Sequence, residues 1–352
     1  MTEELTAFVQ KGVGDVAAMV SGALVALGDR LGLYAAMGDG EPVTAAELAG
    51  RTGTTERYVR EWLAAQAAGG FLHYCGDERY RLTAEGAVVL TDEDSPVCLV
   101  GAFQLALAAV QSVDRLAEAF RTGAGIGWGE HHEELYPGCE RFFAPGYRNH
   151  LVASWIPALD GVERALRSGA SVADVGCGHG ASTLLMAQAY PASTITGFDA
   201  HADSVRTARK AAADAGLAER ARFEVATAAD YPGRYDLVTF FDCLHDMGDP
   251  VGAARHALAA LRPGGRLMVV EPMAGDRVED NLNPVGAAYY GFSTLLCTPG
   301  ALSQGSPTSS GTTALGAQAG EDRLRGVLTG AGFGTVRRIA ETPFTMVLEA
   351  RV

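Results

Sequence analysis

Positive charge is scarce in this chain. Of 352 residues only two are lysine, Lys11 and Lys210, and 28 basic residues face 42 acidic ones, for a formal net charge of −14. That balance disfavours non-specific binding to nucleic acid or to anionic lipid. Paired cysteines are also missing: the six cysteines are scattered, with no Cys-x-x-Cys spacing. In a chain of this size, that points to reduced thiols and a cytoplasmic location. The longest apolar run, residues 97–110, contains Gln104 and is too short to span a bilayer, so it reads as a buried helix. The start, Met-Thr-Glu-Glu-Leu-Thr, lacks the basic and apolar regions of a signal peptide. Zinc-protease spacing is absent too: His131 and His132 are adjacent, do not share a helix face, and read as part of a solvated glycine-rich loop over 122–134.

What is present is a cofactor motif. Residues 172–183, Val-Ala-Asp-Val-Gly-Cys-Gly-His-Gly-Ala-Ser-Thr, read as a buried strand, a glycine turn and the start of a helix. Glycine lets backbone approach a ligand, and the helix start offers free N–H groups and a positive dipole end. A second apolar run ends at Asp199, where a carboxylate can accept both hydroxyls of a ribose. The order Gly176-x-Gly178-x-Gly180 departs from the dinucleotide fingerprint Gly-x-Gly-x-x-Gly. Asp174 ahead of it suits a cationic ligand end and would repel a pyrophosphate. Cys177 inside the turn and Cys243 flank this site, and small packing residues are the simpler reading of both.

Residues 235–242 (Tyr-Asp-Leu-Val-Thr-Phe-Phe-Asp) read as a further strand, and 261–272 (Leu-Arg-Pro-Gly-Gly-Arg-Leu-Met-Val-Val-Glu-Pro) as a turn leading into another. Together these motifs resemble those of class I S-adenosylmethionine-dependent methyltransferases, over residues 169–350. The resemblance implies an α/β fold with a Rossmann-like seven-stranded core. It makes S-adenosylmethionine the cofactor, with Asp174, Gly176, Cys177, Gly178 and Gly180 along its methionine part and Asp199 on its ribose. Asp242, at the end of its strand, joins the cofactor set. Where many relatives carry Gly-Asp for the adenine, this chain has Ala226-Thr-Ala-Ala-Asp230, leaving Thr227 or Asp230 for that contact.

Leu244-His-Asp-Met-Gly-Asp249 resembles the Leu-His-Asp-Trp-x-Asp motif of small-molecule O-methyltransferases, with Met247 at the tryptophan position. In those relatives the histidine is the general base, which implies that role for His245, with Glu271 assisting. An imidazole of ordinary pKa, near 6.5, suits proton abstraction at neutral pH, and methyl transfer from a sulfonium requires no metal. Phe143, Tyr147, Asn281 and Tyr290 are the candidate substrate contacts. Asn281 and Asn283 can equally cap a helix, and Tyr289, Tyr290 and Phe292 offer an aromatic wall. The small polar stretch Ser303–Thr313 reads as a disordered loop or a lid.

The first half has its own organisation. Helical spacing covers residues 1–35 through Phe8, Val9, Val13, Val16, Met19 and Val20. A capping box of Thr44 and Glu47 opens a short helix. A third helix from Thr54 carries Tyr58, Trp62 and Leu63 as core residues, and residues 71–82 read as a hairpin. Helix, helix and two-stranded wing resemble a winged helix-turn-helix. Arg57 and Arg60 would be its DNA contacts, yet residues 1–95 hold 15 acidic against 7 basic residues. A DNA reader should be basic on its contact face, so homodimerisation is favoured, as the resemblance to two-domain O-methyltransferases implies. The expected layout is a winged-helix dimerisation domain over 1–95, a helical connector lining the substrate pocket over 96–168, and the cofactor domain over 169–352. The resulting function is methyl transfer to a small aromatic or hydrophobic hydroxyl compound. Transfer to carbon or nitrogen, a non-methylating reaction on the same fold, and a winged-helix regulator are the alternatives.

Overall fold

The structure is a computed structural model that describes residues 2–305 and 314–352. Most of the Ser303–Thr313 stretch therefore lies outside the described residues. The chain forms two compact units. The first holds Met1–Ala108 with Pro137–Pro145, and the second holds Ala109–Tyr136 with Gly146–Val352. The expected connector is thus no unit of its own; its segments are shared between the two.

In the first unit, helix Glu3–Arg30 passes the helices Ala45–Thr52 and Glu56–Ala68. The expected capping box closes both ways: Glu47 N–H donates to Thr44 Oγ1 at 3.2 Å, and Thr44 N–H donates to Glu47 Oε2 at 2.7 Å. The wing consists of β1 (His73–Gly76) and β2 (Arg79–Arg81), paired antiparallel. Asp77 and Glu78 both take positive φ, +48° and +54°, as a two-residue hairpin turn matched to strand twist requires.

The core of this unit gathers Leu33, Tyr34, Leu48, Val59, Trp62 and Leu63. Trp62 donates its indole N–H to Leu24 O at 2.9 Å, and Gly28 gives the long helix room to pass beneath its ring. Tyr58 departs from the expected core position and is 80% exposed. The buried face runs Val59, Trp62, Leu63, Gln66, and Tyr58 lies one residue, or about 100°, off that stripe. Arg57 and Arg60 each pair with a glutamate of their own helix, Glu61 and Glu56.

Helix Glu3–Arg30 is long and apolar enough to cross a membrane by length and composition. Lys11 and Asp15, paired with each other, interrupt its apolar sequence. Its apolar residues Phe8, Val9, Val13, Val16, Met19 and Val20 are all exposed in the single chain.

The second unit is built on a seven-stranded sheet. Its strands are β3 (Ser171–Val175), β4 (Thr194–Asp199), β5 (Ala221–Val225), β6 (Tyr235–Phe241), β7 (Leu261–Pro272), β8 (Thr335–Glu341) and β9 (Thr345–Arg351). Their order is β5-β4-β3-β6-β7-β9-β8. The first five are parallel; β9 runs antiparallel to β7 and to β8. Strands β3, β6 and β7 are buried nearly throughout, as parallel strands covered on both faces should be. The Arg262-Pro-Gly-Gly265 segment, expected as a turn ahead of β7, forms an irregularity within it: Tyr235 opposes Leu261, while Leu237 opposes Arg266. Small residues let the covering helix Pro250–Ala260 pack closely, with Ala253, Ala254, Ala257 and Ala260 buried. From β3 the chain builds outward through β4 and β5, then returns to place β6 on the other side of β3. That reversal is the switch point where open parallel sheets bind ligands, at the carboxyl ends of the strands.

Candidate active site

The glycine turn follows β3 directly. Gly176, Gly178 and Gly180 all have positive φ, +74°, +53° and +87°. A Cβ on Gly176 would stand 2.7 Å from Cys243 Sγ, and one on Gly180 2.6 Å from the Phe223 ring, so bulkier residues are excluded by both backbone and space. A Cβ on Gly178 would meet nothing within 4 Å, which leaves that side of the turn open. Asp199, at the end of β4, reaches across to the turn. Its Oδ2 accepts the Gly178 N–H at 2.9 Å and its Oδ1 accepts the His201 N–H at 2.8 Å. Burial raises its pKa against the lowering pull of those two bonds. The carboxylate is half-buried and keeps lone pairs for a ligand.

Asp174 takes a different place from the one its sequence position suggested. It is 0% exposed and accepts three hydroxyls of its own chain. Ser182 donates to Oδ2 at 2.7 Å, Thr183 to the same oxygen at 2.5 Å, and Thr239 to Oδ1 at 3.1 Å. Burial raises its pKa, and the three hydroxyls oppose that rise. Asp174 therefore ties β3 to β6 and to the helix Ala181–Ala189. Cys177 likewise packs inward, its Sγ against Gly197, where a Cβ would stand 2.8 Å away. Its thiol pKa is raised by burial. Thr227 is exposed, and its N–H and hydroxyl both donate to Asp230 Oδ1 at 2.7 Å.

At the end of β6 the backbone of Asp242 adopts φ +49°, a conformation uncommon outside glycine and concentrated at functional sites. Its Oδ2 accepts the Tyr147 hydroxyl at 2.7 Å, while its buried Oδ1 has no hydrogen-bond partner among the described residues. Burial and the nearby Glu271 charge push the Asp242 carboxyl up to about 7, against the Tyr147 bond. Tyr147 is itself held against Phe241, with ring centroids 5.2 Å apart. The sequence identified Tyr147 as a substrate contact; the structure brings it onto Asp242.

His245 sits on the short turn Leu244–Asp246 just beyond β6 and is 4% exposed. Its Nδ1 lies 2.5 Å from Oε2 of Glu271, which is 2% exposed on β7. Glu271 Oε1 accepts the Leu244 N–H at 3.0 Å. Since Glu271 is the acceptor, the Nδ1 position carries the proton, and Nε2 is the working nitrogen. Nε2 lies 3.2 Å from Asp246 Oδ1. Desolvation lowers the histidine's pKa, but the charges of Asp246 and Glu271 outweigh it and carry it well above 6.5. The ordinary imidazole pKa assumed from the sequence is thus replaced by a raised one.

Several distant segments converge on this turn. Gln304, after the helix Thr298–Ser303, donates its amide to Asp246 O at 2.8 Å. Cys297 closes the wide turn Ser293–Cys297, within hydrogen-bonding reach of His245. The loop around Ile126 is pinned to the same helix through Ile126 N–H to Pro299 O at 3.0 Å. This folding-back buries His131, which the sequence had left in a solvated loop. Its Nδ1 lies 3.1 Å from Ser112 Oγ, its buried Nε2 has no hydrogen-bond partner among the described residues, and it feels the charge of Asp246. Neither Cys297 nor His131 carried a motif. Only the tertiary fold brings Cys297 to His245 and His131 within the field of Asp246.

The remaining substrate candidates fall elsewhere. Asn281 is buried and spends its amide on its own loop: Nδ2 donates to Gly275 O and Arg277 O at 3.0 Å, and Oδ1 accepts Gly275 N–H at 2.8 Å. Asn283 caps the helix Pro284–Phe292 by accepting Gly286 N–H at 2.9 Å. Tyr290 borders a cavity of about 570 Å³ in which it is the one aromatic among polar groups including Asp276, Arg277, Gln318 and Arg323. Phe143 belongs to the first unit, 4.8 Å from Phe142.

Comparison with known proteins matches residues 166–299 to a methyltransferase domain and residues 18–92 to the Rv2258c-like winged HTH domain. The chain thus carries a methyltransferase domain behind an N-terminal winged helix. Its architecture is similar to that of a putative O-methyltransferase from Nostoc punctiforme, with TM-score 0.71, 22% identity, and 97% of this chain and 98% of that one covered. Human N-acetylserotonin methyltransferase, solved with S-adenosylmethionine, aligns with TM-score 0.68 at 19% identity over 97% of both chains. In sequence, the chain is 36% identical over 105 residues to 27-O-demethylrifamycin SV methyltransferase of Amycolatopsis mediterranei, covering 29% of this chain and 38% of that protein. It is 32% identical over 123 residues to a ubiquinone biosynthesis O-methyltransferase of Pseudomonas paraeruginosa, covering 34% and 50%. The matches therefore span half or less of these curated relatives.

Proposed function

We propose that this methyltransferase transfers the methyl group of S-adenosylmethionine to a hydroxyl of a small, aromatic or hydrophobic substrate, with His245 as general base. The observation that carries this reading is the buried His245–Glu271 pair, set beside the glycine turn at the carboxyl ends of the strands. S-adenosylmethionine supplies an activated methyl group, so the protein's tasks are alignment and removal of the hydroxyl proton. The open side of Gly178 gives the cofactor's methionine part a path, and Asp199 takes the ribose hydroxyls. The unpartnered Oδ1 of Asp242 accepts a donor of the cofactor's amino group. Asp174 supports the turn from behind, through its three hydroxyl bonds. At His245, Glu271 fixes the Nδ1 proton and ring orientation, leaving Nε2 to receive the substrate's proton.

Two chains pair through the first unit, whose long helix leaves a row of apolar side chains uncovered. The protein works in the cytoplasm, in keeping with six free cysteines. The decisive experiment incubates the protein with S-adenosylmethionine and a panel of hydroxylated aromatic compounds, following S-adenosylhomocysteine and methylated product together by mass spectrometry. Equal formation of both is expected from the wild type. His245→Ala should lose product by about 10²–10⁴-fold while keeping cofactor affinity within a few fold. Undiminished turnover in that variant would remove His245 from the chemistry and favour transfer to carbon or nitrogen.

A further inference from the structure

We propose that His245, Asp246 and Cys297 form a binding site for a thiophilic divalent metal ion such as zinc, and that its occupation shuts down the general base. The metal site stands on geometry alone; the inhibitory consequence rests on the proposed role of His245.

Among the described residues, the Nε2, carboxylate oxygen and Sγ of these three side chains all lie within 4.8 Å of one another. Tetrahedral zinc places nitrogen, oxygen and sulfur ligands about 3.3–3.6 Å apart, from metal–ligand distances of about 2.0–2.3 Å. The measured Nε2–Oδ1 separation of 3.2 Å already approaches that spacing. These two atoms face each other as an ion pair whenever the ring is protonated, and among the described residues Asp246 Oδ1 is buried with no hydrogen-bond partner. A cation between the three would satisfy this oxygen.

Two further features match a metal centre. A metal-bound histidine normally donates its other ring N–H to a carboxylate, which fixes the ring and raises the basicity of the ligating nitrogen. Glu271 Oε2, 2.5 Å from Nδ1, stands in that position. Cys297 ends a π-helical turn, Ser293–Cys297, and such widened turns occur mostly at functional sites. Pro299, two residues on, has no N–H to give the preceding turn, which favours the widening.

Nitrogen, oxygen and sulfur donors together suit zinc better than magnesium or calcium, which take oxygen ligands. Three protein ligands leave a fourth position for water. Binding is a ligand exchange without redox change. The aquated ion loses water, the Cys297 S–H bond is replaced by a sulfur–metal bond, and the thiol proton passes to solvent. The Nε2 lone pair then holds the metal and can take no proton from a substrate.

The test uses the full-length protein, freed of metal by chelator dialysis and titrated with cobalt(II) as a spectroscopic stand-in. A saturable one-to-one near-ultraviolet thiolate-to-cobalt charge-transfer band is expected, displaced by one equivalent of zinc. Cys297→Ser should lose the band and Asp246→Asn should weaken binding at least tenfold, both with unchanged circular dichroism. Cys75→Ser, altering an exposed thiol away from the cluster, should retain it. No saturable band, or a band that survives in Cys297→Ser, overturns the site. Zinc should also inhibit wild-type methyl transfer, with at least tenfold more zinc needed for Cys297→Ser. A normal band without inhibition would leave the metal site standing and overturn its link to the base.

Discussion

Glu271 holds two neighbours with one carboxylate: Oε2 lies 2.5 Å from His245 Nδ1, and Oε1 accepts the Leu244 N–H at 3.0 Å. A strand residue in the middle of the sheet thereby fixes both the ring and the turn that carries it. The charge environment then decides when the ring can act.

Because the charges of Asp246 and Glu271 outweigh desolvation and raise the pKa of His245, its imidazole holds a proton to higher pH than an ordinary histidine. A base must be unprotonated, so kcat/KM should climb with pH along a limb alkaline of 6.5. Glu271→Gln removes one of the raising charges and leaves desolvation less opposed, so the limb should move toward acid while the rate falls. Stability should run the other way. A group whose folded pKa is raised stabilises fully below its unfolded pKa and loses that contribution as pH rises through the folded value. Urea unfolding of wild type and His245→Ala should therefore show a difference that shrinks as pH rises above 6.5. A pH–rate limb at or below 6.5 would contradict the charge assignment.

Asp174 is expected to matter through stability. Asp174→Ala would leave the hydroxyls of Ser182, Thr183 and Thr239 buried without their common acceptor. An unsatisfied buried hydroxyl costs about 1–3 kcal/mol, and partial relaxation of three suggests a total of about 3 kcal/mol. Urea denaturation measures this directly. A variant of wild-type stability but with greatly weakened cofactor binding would return Asp174 to the ligand's first contacts.

Asp199 gives the opposite signature. Asp199→Ala should weaken binding of S-adenosylmethionine about 10–100-fold, the range expected for losing hydrogen bonds to a charged acceptor. Calorimetry reads this with no need for a methyl acceptor. Wild-type affinity would refute the ribose assignment.

The parts of this site that could be read from sequence are those that act through local geometry. The glycine turn, Asp199 and His245 each sit at a strand end, and the end of an apolar run is visible in a linear pattern. The sheet was legible for the same reason, since residues 172–175, 237–241 and 267–270 are mostly apolar. What stayed hidden depends on side-chain direction or on distant segments. Asp174 points into the protein because three hydroxyls, one from β6 and two from the following helix, wait there. Tyr58 and Val59 differ by one residue, and only packing against the long helix decides which of them is buried. Cys297 reaches His245, and His131 the field of Asp246, across long stretches of chain, through a turn and a loop with no motif of their own.

The long first helix yields the last prediction. Val9, Val13, Val16 and Val20 recur at helical spacing and are all exposed in one chain. An apolar stripe of this kind either meets a second copy or enters a bilayer, and the two outcomes respond differently to charge. If copies pair, sedimentation of the detergent-free protein should give a dimer. The double variant Val13→Glu/Val16→Glu should shift it to monomer by at least tenfold in dissociation constant, with the circular dichroism spectrum retained because these side chains touch no core. Wild-type protein that pellets with lipid vesicles and is monomeric without them would overturn the pairing. The dimeric outcome would also explain how a helix so apolar remains in water.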